Sequence, residues 1–375
     1  MSSDPHIVNA LRAELSDRDL WQTRVVVLTF GTLSGLVVVA FTWLTEQALE
    51  LFHHARAGLP WLPLLWTPLC TAAVVWTTRL WAPGAAGSGI PQVMAALHPG
   101  VEPRWRGLYV SVRLTLAKML LTAAGLLGGL SQGREGPSVQ IGAGVMHAAR
   151  RFLPQRSAVS EQGLLIAGGA AGIAAAFNTP LGGIMFAIEE LSRRPEQRSN
   201  GLIMAAIVLA GLMGVSVYGN STYFGVIRVQ PVSWALLGPG LLVALGCGLV
   251  GGLFARLLTR SLSGRSDDRF TRWRQRYPVR FAAGCGLAVA VIGLVTGGAT
   301  FGSGYTHTRE LLEGGSSGEI GGLYLLLKFA ADRNINAAPD VSYKVVGQAP
   351  TELSERPIVV GFGIRTPEQA ARIDL

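Results

Sequence analysis

Gly133-Arg134-Glu135-Gly136-Pro137-Ser138-Val139-Gln140 follows one long apolar run, Leu114 to Leu130, and opens another, Ile141 to Met146. An arginine and a glutamate wedged between apolar runs sit where ionisable side chains are costly, and such residues default to functional candidates. Gly133 and Gly136 let the backbone bend and approach a ligand closely. Pro137 suits the first turn of a helix, where a missing N–H loses nothing. The stretch therefore predicts a helix start at membrane depth, with unpaired amides aimed at an anion. The Glu135 carboxylate lies in that donor field. A plainer reading also stands: a first-turn acid favoured by the helix dipole.

The chain of 375 residues is 49% hydrophobic and 15% charged, with a mean hydropathy of +0.38. Soluble domains carry about 25% charge, so these values define an integral membrane protein. Lipid admits only helices or closed barrels, and the many apolar runs predict an all-α polytopic bundle. Gly 48 suits close packing and breaks of membrane helices. The net charge of +9 would suit nucleic acid, but the basic residues lie in loops between apolar runs. The positive-inside bias explains them. Cys70, Cys247 and Cys285 lie in apolar segments without metal or redox spacing and read as buried thiols. The six histidines show no ligand pattern, so neither metal nor cofactor is expected.

Residues 1–24 have no signal-peptide core, and Ile7, Leu11 and Leu15 suggest an amphipathic helix on the membrane surface. Apolar spans are expected at Val25–Phe52, Leu64–Leu80, Leu108–Leu130, Leu202–Tyr218, Leu236–Leu258 and Phe281–Thr296. His53–Pro60 reads as a loop, with Trp61 and Trp66 as interface anchors. Gly87-Ser88-Gly89-Ile90-Pro91 is a second Gly-rich break, followed by a short helix. Ser88 there is either a turn hydroxyl or a ligand. Lys118 falls inside a span and needs a buried partner or a route to the interface.

Leu164–Leu191 is interrupted at Asn178-Thr179-Pro180 and reads as two short helices ending in Glu189-Glu190. Glu189 can pair with Arg193, but Glu190 at a helix C-terminus opposes the dipole and calls for compensation or a task. Arg256–Arg280 holds eight arginines against Asp267 and Asp268 and reads as a solvated face with anionic-lipid contact as a second role. Charge bias puts this loop and 193–198 on the cytoplasmic side and 220–231 outside. Gly302–Gly318 reads as a loop, and Leu323–Ala331 starts a further helix. Gly31-x3-Gly35-Leu36-Val37-x3-Phe41 matches Ala244-x3-Gly248-Leu249-Val250-x3-Phe254. Broken helices with internal repeats point to a transporter with inverted halves.

Together Gly87-Ser88-Gly89-Ile90-Pro91, Gly133-Arg134-Glu135-Gly136-Pro137 and Ala175-Ala176-Phe177-Asn178-Thr179-Pro180-Leu181-Gly182-Gly183, running on to Glu189-Glu190, resemble the CLC family of chloride channels and chloride/proton exchangers. The resemblance covers about 25–331. It implies tilted, broken helices in inverted repeats and a homodimer with one anion pathway per subunit. Ser88, Gly89, Ile90 and Pro91, with Gly133, Arg134, Glu135 and Gly136, would bind the anion. Glu135 would be the gating and external proton glutamate, Glu190 the internal proton glutamate, and Lys118 a buried charge near the pathway. Chloride and protons would be the cargo, no covalent chemistry would be done, and the inner plasma membrane would be the location, with a cytoplasmic N-terminus.

The sequence departs from the family where a Gly-x-Phe-x-Pro motif should follow Leu327-Lys328-Phe329, and the family's later site-closing tyrosine is missing as well. Residues 357–370 instead are similar to a phosphate-loop strand of the tryptophan synthase alpha subunit. The expected division is an N-terminal helix (1–24), a first membrane repeat (25–219), a partial second repeat (220–331) and a non-membrane tail (332–375). Two alternatives accompany exchange: a non-conducting membrane protein that only dimerises, and a fusion carrying a phosphate-binding enzyme fragment.

Overall fold

In a computed structural model, residues 16–98, 101, 106–191, 200–219, 234–262, 269–312, 324 and 326–332 are described. The described residues form helices and turns, with no strand among them. The helices are α1 Arg18–Gly58, α2 Leu62–Trp81, α3 Ile90–Leu97, α4 Val112–Leu127, α5 Glu135–Ala148 and α6 Glu161–Ala176. They continue with α7 Pro180–Phe186, α8 Asn200–Tyr218, α9 Leu237–Leu262, α10 Arg269–Arg276, α11 Pro278–Val295 and α12 Tyr305–Leu312. Residues 326–332 are helical as well. By length and composition, α1, α8, α11 and the stretch Trp234–Leu257 through α9 can each cross a membrane.

The chain forms two compact units that interleave along the sequence. One holds 1–44, 92–119 and 134–223; the other holds 45–91, 120–133 and 224–375. The first is built around α5, α6 and α8. Gly142 of α5 faces Gly168 of α6, and Gly172 of α6 faces Ser138 of α5, each so closely that a Cβ would overlap the opposite carbonyl oxygen. Small residues at these positions bring two backbones together where lipid offers no hydrophobic drive for association. Gly31 and Gly35 give α1 the same close approach to Ala206 and Ala210 of α8. Val27, Met146, Leu164, Ala170 and Ile207 fill the space between them. In the second unit α2 packs on α11, with Gly286 against Thr71 and Pro68. Phe52 and Phe301 meet edge-on at 4.9 Å beside Leu130 and Val289.

The break at Asn178-Thr179-Pro180 is present. Asn178 adopts φ 55. This left-handed conformation is one that asparagine tolerates. Its Nδ2 donates to Gly219 O at 2.8 Å. Thr179 then caps α7, its Oγ1 accepting from Gly182 N at 3.2 Å, with Pro180 as the first helical residue.

Several expectations change. His53–Pro60 is not a loop: α1 continues to Gly58, because nothing before Leu59-Pro60 breaks it and Arg56 gains a partner, donating to Gly297 O at 2.8 Å. The Gly302–Gly318 segment contains α12. Of the cysteines only Cys285 is buried; Cys70 is half-buried and Cys247 lies exposed on α9. The amphipathic reading of 1–15 and the orientation readings at 193–198 and 220–231 lie outside the described residues, as does the tail from 333 onward.

Candidate functional site: two glycine-opened helix starts and a glutamate turn

Gly87 and Gly89 have φ 84 and 116, a backbone that non-glycine residues rarely adopt. They fold the chain sharply after the single 3-10 turn Pro83–Ala85 and set Ser88, half-exposed, immediately before α3. Ile90 opens that helix, and Pro91 occupies its first turn, where its missing N–H leaves no intrahelical bond unmade.

The second start is α5. Its N-cap is Arg134, which makes no side-chain cap bond, so the first amides of the helix are left for another acceptor. Ser138 closes the first turn instead, with its N and its Oγ both donating to Arg134 O at 3.0 and 2.9 Å. Arg134 is 8% exposed, and its Nη1 donates to Thr42 O at 3.4 Å. Glu135, the first residue of α5, is half-buried, and Gly133 is exposed. A buried guanidinium and a helix N-terminus thus concentrate positive potential beside a carboxylate that water can still reach. This arrangement can hold an anion, or the Glu135 carboxylate in its place.

The chain leading into Gly133 is anchored in its own unit. Lys328 Nζ donates to Ser131 Oγ at 2.5 Å and to Gly302 O at 2.8 Å, and Gln132 Nε2 donates to Thr122 O at 2.8 Å. Ser131 Oγ also reaches Asp332 Oδ1 at 2.5 Å. Asp332, read from sequence as the first tail residue, is helical with residues 326–331 and accepts this bond within the same unit.

The other expected residues sit on elements of their own. Lys118, on α4, is 3% exposed. Glu190 is half-buried on a π turn, Ala187–Leu191, that continues α7; Glu189 beside it is exposed. Arg134, Glu135, Gly136, Lys118 and Glu190 belong to the first unit, and Ser88 to Pro91 and Gly133 to the second.

One charged cluster escaped the sequence reading. Glu161, the first residue of α6, accepts from Arg106 Nη1 at 2.6 Å and Arg150 Nη1 at 2.8 Å, and lies 2.6 Å from His147 Nε2. Ser160 caps the same helix, its Oγ accepting from Gly163 N at 3.0 Å. Ser-Glu before an apolar run signalled the helix start; nothing local signalled that Arg106, 55 residues upstream, would meet it.

The family model for voltage gated chloride channels matches residues 70–332. The chain belongs to this family and is an integral membrane protein. Its fold is also that of a slow cyanobacterial Cl−/H+ antiporter, at a TM-score of 0.71 and 20% identity over 86% of this chain and 75% of that one. A CLC-type fluoride/proton antiporter aligns at 0.66 and 22% identity, covering 84% and 76%. A eukaryotic CLC transporter aligns at 0.53 and 18%, covering 86% and 72%. At these identities the likeness establishes the fold, that of an all-α CLC membrane protein.

Proposed function

We propose that the protein moves chloride across the membrane in exchange for protons, as a homodimer with one pathway per subunit. The observation that carries this reading is the start of α5: an uncapped helix N-terminus behind the buried Arg134, with the half-buried Glu135 in its donor field. Glu135 is the gate. Ionised, it occupies the amides; protonated, it is a weaker ligand and yields them to chloride. Ser88 and the start of α3 serve as a second anion-binding element. Glu190 hands protons to and from the interior, and Lys118 supplies buried positive charge. The reading takes chloride rather than fluoride as cargo from Gly87-Ser88-Gly89-Ile90-Pro91, the form of the motif that resembles the chloride-type site.

Calorimetric titration of the purified full chain with chloride tests this. Chloride affinity is expected to strengthen as pH falls in the parent, while Glu135→Gln, a permanent mimic of the protonated acid, binds with no pH dependence. A pH-independent parent affinity equal to that of Glu135→Gln reduces Glu135 to a helix-start residue. Absence of chloride binding in both proteins favours the non-conducting reading, which the missing Gly-x-Phe-x-Pro motif motivates.

A further inference from the structure

Helix α10, RFTRWRQR, sorts its residues into three stripes. Thr271 and Arg274 face inward, at 6% and 9% exposure. Phe270 and Trp273 form the next stripe. Both lean edge-on against Phe281 of α11, at 4.8 and 5.0 Å, yet remain 45% and 44% exposed. Arg269, Arg272 and Arg276 form the third and are all exposed. A single residue, Tyr277, separates α10 from α11, and the guanidinium groups of Arg276 and Arg280 lie over its ring at 5.5 and 5.2 Å. Residues 269–280 contain no acidic side chain.

The position of this helix follows from its neighbour. Eighteen residues of α11 extend about 27 Å, close to the ~30 Å of a bilayer's hydrocarbon core. Its first residue, Pro278, therefore lies at one edge of that core, and α10 lies level with the headgroups. An arginine stripe beside half-exposed aromatic rings is the pattern of an interfacial helix. One tyrosine ring lies within 5.5 Å of two guanidinium groups, and planar guanidinium donors match a phosphate in geometry and charge. We propose that α10 and the first turn of α11 bind the headgroups of anionic phospholipids. Arg276 and Arg280 take the phosphodiester, Arg269 adds charge, and Phe270 and Trp273 rest at the acyl boundary. This assignment is independent of the transport mechanism.

Thermal unfolding of the full chain in neutral detergent tests the assignment, with phosphatidylglycerol, phosphatidylcholine or inorganic phosphate added. Phosphatidylglycerol is expected to raise Tm saturably, by roughly 1–2 °C, the shift that about 1 kcal/mol gives in a chain of 375 residues. Phosphatidylcholine and inorganic phosphate should not. R269Q/R276Q/R280Q should lose the phosphatidylglycerol response. R113Q/R151Q/R280Q, which removes the same number of charges while keeping Arg269 and Arg276, should lose only part of it. Should the first variant fail to fold, R276K/R280K replaces it; keeping charge without the planar fork, it should shift the half-saturating lipid concentration upward. Equal responses to both lipids, a response to phosphate alone, an undiminished response in the arginine variants, or equal loss in the two triple variants would each overturn the assignment.

Discussion

Glu161 engages three partners at once, and Arg106 among them has a side chain only 9% exposed. Replacing one partner of a buried pair leaves the other charge uncompensated, a change that costs about 3 kcal/mol or more. Glu161→Gln is therefore expected to lower stability in detergent by about 3 kcal/mol. Glu161→Asp, which keeps the charge, should lose less; equal losses would mean that packing rather than charge matters there. Glu190 poses a different question, since its turn is half-exposed and the carboxylate is affordable where it sits. Glu190→Gln keeps the size and removes the titratable proton. In reconstituted vesicles proton flux should fall roughly tenfold or more, by analogy with the loss of a positioned proton-transfer group, while chloride binding stays intact. Undiminished proton flux would sink the role. Glu135 and Glu190 were visible as sequence oddities because an acid in an apolar run has few reasons to be there. Glu161 was not, because its partners come from two separate stretches, Arg106 and His147 to Arg150, that only the fold brings to it.

At the scale of elements, α5 and α6 depend on glycines rather than on large side chains. A methyl at Gly172 would overlap Ser138 O and crowd Val139, all on the partner backbone, which has no rotamer to give. Overpacking of this kind costs about 1–3 kcal/mol. Gly172→Ala should thus unfold earlier in denaturant, whereas Gly251→Ala, on the open face of α9, should be neutral or slightly stabilising. Equal effects at the two positions would show that helix propensity, not the interface, sets the outcome. The helix break at Asn178-Thr179-Pro180 was legible in sequence because proline and a capping threonine act locally. The end of α1 was not. His53 to Arg56 carry no breaker, and the loop reading mistook polarity for a turn.

At the scale of the molecule, α9 exposes its apolar residues along its length, Leu249 at 75%. In water such a face would be a liability, but lipid tails solvate it without loss. The family match ends at Asp332, whose carboxylate accepts from Ser131 Oγ. We therefore expect deletion of residues 333–375 to leave thermal stability and the particle mass in detergent unchanged, as read by unfolding and light scattering. Deletion from Asp332 onward should lower stability. A large loss in the first deletion would show that the tail belongs to the fold. Sequence by itself determined the membrane class, the apolar helices, their breaks and the three motifs, because transfer to lipid, proline, glycine and helix capping act within a few residues. Only the tertiary structure decided that Gly142, Gly168 and Gly172 are contact points, that Glu161 is a hub, and that Asp332 is bound in. Those outcomes depend on which distant backbone or charge arrives opposite, and no local pattern encodes that.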